Sequence, residues 1–200
     1  MGKARIAVLV SGGGTNLQAL INAQNSGVIT SGEISLVISN NPGAYAQERA
    51  ARAKISTEIV TKKCCGSQAA FEESIKLLLK KHHIDLIVLA GFMSILSEDF
   101  TKDFPERIIN VHPSLIPSFC GKGYYGLRVH EEALAYGVKV TGATVHFVNE
   151  IPDGGKIILQ KAVEIQEGDT PEILQKRVME QAEWKILPAA VEMVSKTIAM

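Results

Sequence analysis

Short β-branched runs alternate with segments of helical period along most of this chain, and this alternation constrains the fold more than any other feature. One run, "IDLIVLAG" (84–91), is apolar at nearly every position, as is typical of a strand buried on both faces of a parallel sheet. Strands that alternate with helices predict right-handed βαβ units. We therefore expect an α/β fold with a Rossmann-like, mostly parallel twisted sheet, helices on both faces, and ligands bound at the carboxyl ends of the strands.

The order of the predicted elements follows from the periodicity of apolar residues. Strands are predicted at "RIAVLVS", "ISLVIS", "STEIV", "IDLIVLAG" and "RIINVH". Helices are predicted at "NLQALINAQN", "AYAQERAARAK" and "QAAFEESIKLLLKKHH". Ser67 is the expected N-cap of the last of these helices.

The alternation of predicted strands and helices is interrupted toward the end of the chain. Two strand-like runs, "VKVTGATVHFVN" and "KIILQKAVEI", follow without a helix between them, so we expect antiparallel edge strands near the C-terminus. The segment 170–197 has a helical pattern that Asp169 or Thr170 could cap. Pro188 lies inside this segment and predicts a kink or a break, because proline lacks an N–H and clashes with the preceding turn.

Length and charge narrow the classes of function. Two hundred residues is an ordinary size for one domain, so we expect a single domain over residues 1–200. The 21 Lys and Arg residues balance 21 Asp and Glu residues, which leaves no global field to attract a polyanion. We therefore expect no nucleic-acid partner.

The start of the chain and its cysteines indicate a compartment. "MGKARIAVLVSGGG" has one short apolar run that leads into glycines, unlike a secretory signal, and no later segment is apolar for long enough to span a bilayer. Cys64, Cys65 and Cys120 have the spacing of neither a zinc site nor a disulfide framework. We expect a soluble cytoplasmic protein with free thiols and no membrane partner.

A glycine-rich stretch, "SGGGTNLQAL" (11–20), lies between the first predicted strand and the first predicted helix. Glycines let the backbone approach a ligand, and the free N–H groups at the start of the helix favour an anion such as phosphate. The stretch is not a Walker A loop, and Leu17 stands where the dinucleotide pattern expects its third glycine. A plain tight turn stays open as the alternative, but the position after the first strand favours a phosphate site.

Asn110 and His112 end the fifth predicted strand, in "INVHPSLIPSF". Because they are two positions apart on a strand, they face the same side, and Pro113 and Pro117 restrict the backbone that follows. An amide donor beside an imidazole can stabilise an oxyanion and move a proton, as acyl transfer to an amine requires. A lone histidine is more often a hydrogen-bonded core residue, and Ser114 lacks the GxSxG context of a nucleophilic serine.

Asp153, in "IPDGG", lies on a connection that can reach the same edge of the sheet. A carboxylate near an imidazole orients the ring and raises its pKa, whereas "PDGG" taken alone is more often a turn. The other histidines carry weaker signals: His82 and His83 end a helix, His130 begins one, and His146 alternates within a strand. No pair has the i, i+4 spacing of a helical metal site, so we expect no metal.

Four ordered motifs resemble those of the folate-dependent formyltransferases. They are "VLVSGGGTNLQAL", "VLAGFMSIL", "INVHPSLIPSF" and "VHFVNEIPDGG", and together they span almost the whole chain. The first is similar to that of the members which transfer a formyl group from 10-formyltetrahydrofolate to the amine of glycinamide ribonucleotide in purine (IMP) biosynthesis. The resemblance implies the formyltransferase fold, this reaction on small-molecule substrates, and 10-formyltetrahydrofolate as co-substrate.

The resemblance also implies roles for individual residues. Asn110, His112 and Asp153 match the catalytic trio, in which the amide and a protonated imidazole stabilise the tetrahedral intermediate of direct transfer. The positions that match glycinamide ribonucleotide binding are Gly14, Thr15, Asn16 and Glu183. The positions that match folate binding are Gln68, Met93, Ser94, Ile95, Leu96, Asn110 and Asp153, with Gln68 and Ser94 standing where several relatives carry arginine.

Other interpretations stay open at this level. A formyltetrahydrofolate hydrolase or a methionyl-tRNA formyltransferase shares the Asn/His/Asp core, but each usually carries an additional domain for which a chain of 200 residues has no room. A nucleotide-binding module that has lost catalysis is the alternative from another class. The sequence leaves the oligomeric state open, with a homodimer among the alternatives.

Overall fold

Seven strands form one sheet in the computed structural model, which describes residues 2–200. The strands are β1 (Ala4–Val10), β2 (Gly32–Ser39), β3 (Ser56–Ile59), β4 (Leu86–Leu89), β5 (Ile108–His112), β6 (Val140–Phe147) and β7 (Ile157–Glu164). The helices are α1 (Thr15–Asn25), α2 (Ala46–Arg52), α3 (Lys62–Cys65), α4 (Gln68–Lys81), α5 (Glu98–Lys102), α6 (Arg128–Tyr136), α7 (Pro171–Val178) and α8 (Trp184–Ala199). Among residues 2–200, none of the helices combines the length and the apolar content that crossing a bilayer requires.

The strand order is β3-β2-β1-β4-β5-β6-β7. The first five strands in this order pair in parallel, and β6 and β7 join antiparallel at one edge. The predicted α/β fold is therefore confirmed, including the antiparallel pair near the C-terminus. Ser67 caps α4 as predicted, since its side chain accepts a hydrogen bond from the N–H of Ala70.

The sheet is covered on both faces, because alternate side chains of its central strands enter two different cores. On β1, Ile6 and Val8 pack with apolar residues of α1 and α8, whereas Ala7 and Leu9 pack with residues of α4 and α5. All four side chains are completely buried. This two-sided burial is the physical reason for the continuous apolar runs in the sequence.

The long C-terminal helical segment contains an irregularity that lies before Pro188. Thr170 caps α7 as predicted, and α8 continues through Pro188, so of the predicted kink or break the break does not occur. A π-helical turn, Met179–Glu183, lies before it instead. Proline clashes with the carbonyl four residues earlier, which here belongs to Trp184, the residue directly after that turn. The deformation therefore precedes the proline.

Glu192 fixes α8 against the segment that leads into β2. Its carboxylate accepts hydrogen bonds of 2.7–2.9 Å from the backbone N–H and hydroxyl groups of Thr30 and Ser31. Burial opposes the charge, but these bonds outweigh it and lower the pKa of Glu192 to about 2. The middle of α8 is held against this segment as a result.

Candidate active site

A cavity of about 710 Å³ opens at the carboxyl ends of β1, β4 and β5. Its wall includes Asn16 after β1, Phe92–Ile95 after β4, Asn110 and His112 on β5, and Asp153 between β6 and β7. The strand order reverses between β1 and β4, and the helices that follow these strands cover opposite faces. A crevice at such a position is the usual ligand site of an open α/β sheet.

Asn110, His112 and Asp153 come together in this cavity. Asn110 and His112 share one face of β5, and the carboxylate of Asp153 reaches both. Asn110 Nδ2 lies 3.5 Å from Asp153 Oδ1, and His112 Nδ1 lies 3.5 Å from Asp153 Oδ2. The structure thus brings the three predicted residues into one cluster, with the carboxylate between the amide and the imidazole.

His112 is held as a neutral imidazole. Its Nε2 lies 2.9 Å from the carbonyl oxygen of Phe119; because a carbonyl only accepts, Nε2 carries the ring proton and Nδ1 keeps a lone pair toward Asp153. Burial lowers the pKa of His112, and the opposing effects of Asp153 and Phe119 are smaller. Asp153 raises the pKa of His112 as expected, but burial outweighs this effect, so the net shift in the free protein is downward.

Asp153 is a carboxylate in an unusual backbone conformation. Its φ is 57°, in the left-handed region that aspartate and asparagine tolerate best after glycine. Its Oδ2 accepts the N–H of Gly121 at 2.8 Å. Burial by itself raises the pKa of Asp153, but the neighbouring rings of His146 and His112 and the N–H of Gly121 together lower it. Asp153 is therefore charged at neutral pH.

Asn16 and Glu183 form a second polar group at the start of α1. Asn16 Nδ2 donates to Glu183 Oε2 at 2.7 Å, and both residues are buried. Within residues 2–200, Asn16 Oδ1 is buried without a hydrogen-bond partner. Burial raises the pKa of Glu183 to about 7, against the opposing bond from Asn16. Near neutral pH this carboxyl group can therefore both donate and accept.

The predicted phosphate loop is shaped by Gly14. Its φ is 70°, and an added Cβ would lie 2.7 Å from the Cβ of Ala46, so only glycine fits there. No side chain caps α1, and its first turn holds no acidic residue, so its N–H groups stay available to an anion. Thr15 lies beside Met179, with Oγ1 3.8 Å from Sδ, and lines a neighbouring cavity of about 560 Å³ between α1 and α8.

Glu183→Gln is expected to stabilise the free protein at pH 8 and to change its stability little at pH 5. The folded carboxyl has a pKa of about 7 against an ordinary value of 4.5, so between these values the folded state keeps a proton that the unfolded chain loses, and stability falls as pH rises. The difference corresponds to roughly 3 kcal/mol at pH 8. Glutamine accepts from Asn16 but stays neutral. Urea unfolding at the two pH values measures the effect.

Glu192→Gln is the matched control for this prediction. Because the pKa of Glu192 is lowered to about 2, its carboxylate contributes equally at pH 5 and pH 8, and its loss should lower stability by the same amount at both. If Glu183→Gln also shifts stability equally at the two pH values, the buried carboxyl does not hold its proton near neutrality.

The predicted folate-binding positions are arranged in two ways. Met93, Ser94 and Ile95 line the cavity, and the side chains of Met93 and Ile95 are 54% and 65% exposed, which offers an apolar surface to a ligand. Gln68 and Leu96 lie behind this wall: Gln68 Nε2 donates to the carbonyl of Ile95 at 3.1 Å, and Leu96 is buried in the core. These two residues therefore shape the segment rather than face the cavity.

Two histidines that the sequence placed among the weak signals belong to this site. His146 lies 3.2 Å from Asn110, measured from Nε2 to Nδ2. His130 lines the cavity and is completely buried, and neither of its ring nitrogens has a hydrogen-bond partner among residues 2–200. Burial, with a smaller effect of His112, lowers the pKa of His130 to about 4. His146 could have been identified from the sequence only by predicting the pairing of β5 with β6, which places it opposite Asn110.

The described residues show neither a disulfide nor a cluster suited to a metal. Within 2–200, no three His, Cys, Asp or Glu side chains meet in a group that could hold a metal ion. Cys64, Cys65 and Cys120 are free thiols in this structure.

The chain is similar along nearly its whole length to known proteins. A sequence model described as formyl transferase matches residues 4–191. The trifunctional purine biosynthetic protein adenosine-3 of Homo sapiens is 46% identical over 193 residues, which cover 96% of this chain and 18% of that protein. The chain thus spans less than a fifth of the length of this multifunctional relative.

In two further comparisons, the matched region covers most of this chain and most of the other protein. The phosphoribosylglycinamide formyltransferase of Haemophilus influenzae is 42% identical over 188 residues, which cover 94% of this chain and 85% of that protein. The crystal structure of glycinamide ribonucleotide transformylase 1 from Symbiobacterium toebii superposes with a TM-score of 0.91 at 40% identity, covering 98% of this chain and 89% of that one. The fold described above is therefore shared with these proteins over almost all of its length.

Proposed function

Since the chain belongs to the formyl transferase family, we propose that it transfers the formyl group of 10-formyltetrahydrofolate to the amine of glycinamide ribonucleotide, a step of purine biosynthesis. The relative from Haemophilus influenzae is named phosphoribosylglycinamide formyltransferase, and this name supports glycinamide ribonucleotide as the acceptor. The observation that carries the proposal is the meeting of Asn110, His112 and Asp153 in one cavity that Asn16 and Glu183 also line. In this proposal, residues 1–200 are one formyltransferase domain.

The proposed chemistry is direct transfer without a covalent enzyme intermediate. The neutral amine attacks the formyl carbon, and an N–H of Asn110 stabilises the oxyanion that forms on the formyl oxygen. The amine must lose one proton, and the leaving folate nitrogen must gain one. His112 is neutral in the free protein and accepts at Nδ1, and the carboxylate of Asp153, 3.5 Å away, stabilises the imidazolium until the proton reaches the leaving nitrogen.

The proposed acceptor end of the cavity is the loop after β1. The N–H groups that begin α1 at Gly14 and Thr15 would hold the phosphate of glycinamide ribonucleotide. The amide of Asn16 and the carboxyl of Glu183, two residues that line the cavity, suit ribose hydroxyls, which both donate and accept. The arrangement leaves the glycinamide amine directed toward Asn110 and His112.

The proposed donor end lies along the segment after β4. Met93 and Ile95 offer exposed apolar side chains at the cavity wall, which suits the flat ring system of 10-formyltetrahydrofolate. Gln68 and Leu96 hold this segment from behind. Ser94 lines the cavity and is already bonded to Asn40, with Oγ accepting from Nδ2 at 2.8 Å, so it offers the acidic tail of the folate a neutral side chain.

The competing functions fit the same site less well. A hydrolase has no use for the pair of Asn16 and Glu183, and a tRNA substrate finds no net positive charge on a chain with 21 basic and 21 acidic residues. A module without catalysis does not need the geometry of Asn110, His112 and Asp153. The cytoplasmic location stays a prediction of the sequence, and the homodimer stays one of its open alternatives.

A folate-release assay tests the proposal. Purified protein is mixed with 10-formyltetrahydrofolate and either glycinamide ribonucleotide, water alone, or charged initiator tRNA, and the release of tetrahydrofolate is followed by its absorbance. Release is expected only with glycinamide ribonucleotide. Release in water alone would identify a hydrolase, and release only with tRNA would identify that acceptor. No release, with binding of both small molecules retained in calorimetry, would favour the non-catalytic module.

A further inference from the structure

His146 on β6 lies opposite Asn110 on the neighbouring strand β5. The two residues are direct partners in the antiparallel pairing of β5 with β6, a position at which side chains touch. His146 is 1% exposed, its Nδ1 lies 2.8 Å from the carbonyl oxygen of Phe147, and its Nε2 lies 3.2 Å from Asn110 Nδ2. The ring is therefore fixed at both nitrogens, without room for a second orientation.

The Phe147 carbonyl determines what Nε2 can do. A carbonyl oxygen only accepts, so Nδ1 of His146 carries the ring proton of the neutral form and Nε2 is left as an acceptor. An acceptor at this distance requires the amide nitrogen of Asn110 rather than its oxygen on the side facing His146. The opposite orientation would bring two acceptors together in a buried place, at a cost comparable to a lost hydrogen bond.

One amide N–H of Asn110 thus donates to His146, and the second N–H is directed away from that ring. Its nearest acceptor is Asp153 Oδ1, at 3.5 Å, which is a long contact for a hydrogen bond. An oxyanion formed in the cavity can replace this weak contact. We propose that His146 is a positioning residue that acts through Asn110: by accepting one amide N–H, it holds the other ready for the developing oxyanion. The inference rests on the proposed formyl transfer.

Two substitutions at one position test this role. His146→Leu removes the acceptor while filling the buried space, and kcat is expected to fall about 10- to 100-fold with the KM of both substrates within about threefold, as for loss of an interaction made in the transition state. His146→Gln places an amide oxygen where it can accept from Asn110, and it is expected to keep at least a third of kcat. Thermal melting establishes that both variants fold.

A double-mutant cycle separates positioning from a general structural effect. If His146 acts only through Asn110, the effect of His146→Leu on kcat disappears when Asn110→Ala is already present. Full additivity of the two changes would overturn the inference, and so would an unchanged kcat in His146→Leu when the wild type transfers formyl groups normally.

A readout that does not depend on activity distinguishes this inference from the proposed function. With ¹⁵N-labelled asparagine, the side-chain amide of Asn110, assigned by its loss in Asn110→Ala, is expected to show one hydrogen-bonded proton shifted downfield in the wild type and in His146→Gln, but not in His146→Leu. Identical spectra in all three would overturn the positioning role. Absence of formyl transfer with these spectral differences intact would count against the proposed function alone.

Discussion

Asp153→Asn is expected to lower kcat about a thousandfold, within the usual range for loss of acid–base catalysis, while the KM of each substrate changes less than about threefold. Asparagine has nearly the same shape and tolerates the φ of 57° found here, so the connection between β6 and β7 should keep its conformation. The variant lacks the negative charge that stabilises a protonated His112. Steady-state kinetics with 10-formyltetrahydrofolate and glycinamide ribonucleotide measures the effect.

The pH dependence gives this prediction a second readout. Asp153 raises the pKa of His112 against the stronger effect of burial, so its neutralisation moves the acidic limb of kcat/KM to lower pH. Asp103→Asn is the matched control, because Asp103 pairs with Lys76 at the surface and its loss should leave kcat unchanged. A kcat within tenfold of the wild type, or a loss confined to KM, would remove Asp153 from the proposed role.

The parts of the fold that the sequence predicts are those set by local periodicity. The buried run around Leu86–Leu89, the cap at Ser67 and the antiparallel pair near the C-terminus each follow from neighbours within a few residues, and the structure confirms them. The edge of the sheet at which ligands bind also follows, because parallel strands end at one side. Asn110 and His112 could be placed there from the chain alone.

The remaining parts of the site depend on contacts that no local pattern encodes. Asn16 and Glu183 are 167 residues apart, and only the family resemblance connected them. The partnership of His146 with Asn110 depends on the register of β5 against β6, since a slip of one position would turn the ring to the other face. The neutral state of His112 arises from burial, whose size depends on the complete fold.

The connection that carries Asp153 ends in two glycines with different surroundings. A Cβ on Gly155 would lie 1.7 Å from the carbonyl oxygen of Phe147, whereas a Cβ on Gly154 would meet the side chain of Ile151, its nearest atom 2.6 Å away. Ile151 is 57% exposed, but its Cβ would lie only 2.7 Å from the added atom, so the exposed connection around it must shift. The carbonyl of Phe147 is backbone, and it also receives Nδ1 of His146 at 2.8 Å. The two positions therefore form a matched pair for substitution by alanine.

Gly155→Ala is expected to lower Tm by about 10 °C, because a backbone clash of this kind costs roughly 3 kcal/mol or more and each kcal/mol is worth about 2–4 °C in a chain of this size. Any movement that relieves the clash displaces the acceptor of His146 and the backbone two residues from Asp153, so kcat should fall with Tm. Gly154→Ala should lower Tm less, because it displaces an exposed residue of the connection rather than the backbone of β6. Calorimetric melting and kinetics compare the variants; equal Tm values for both would show that the connection relaxes freely and does not hold Asp153.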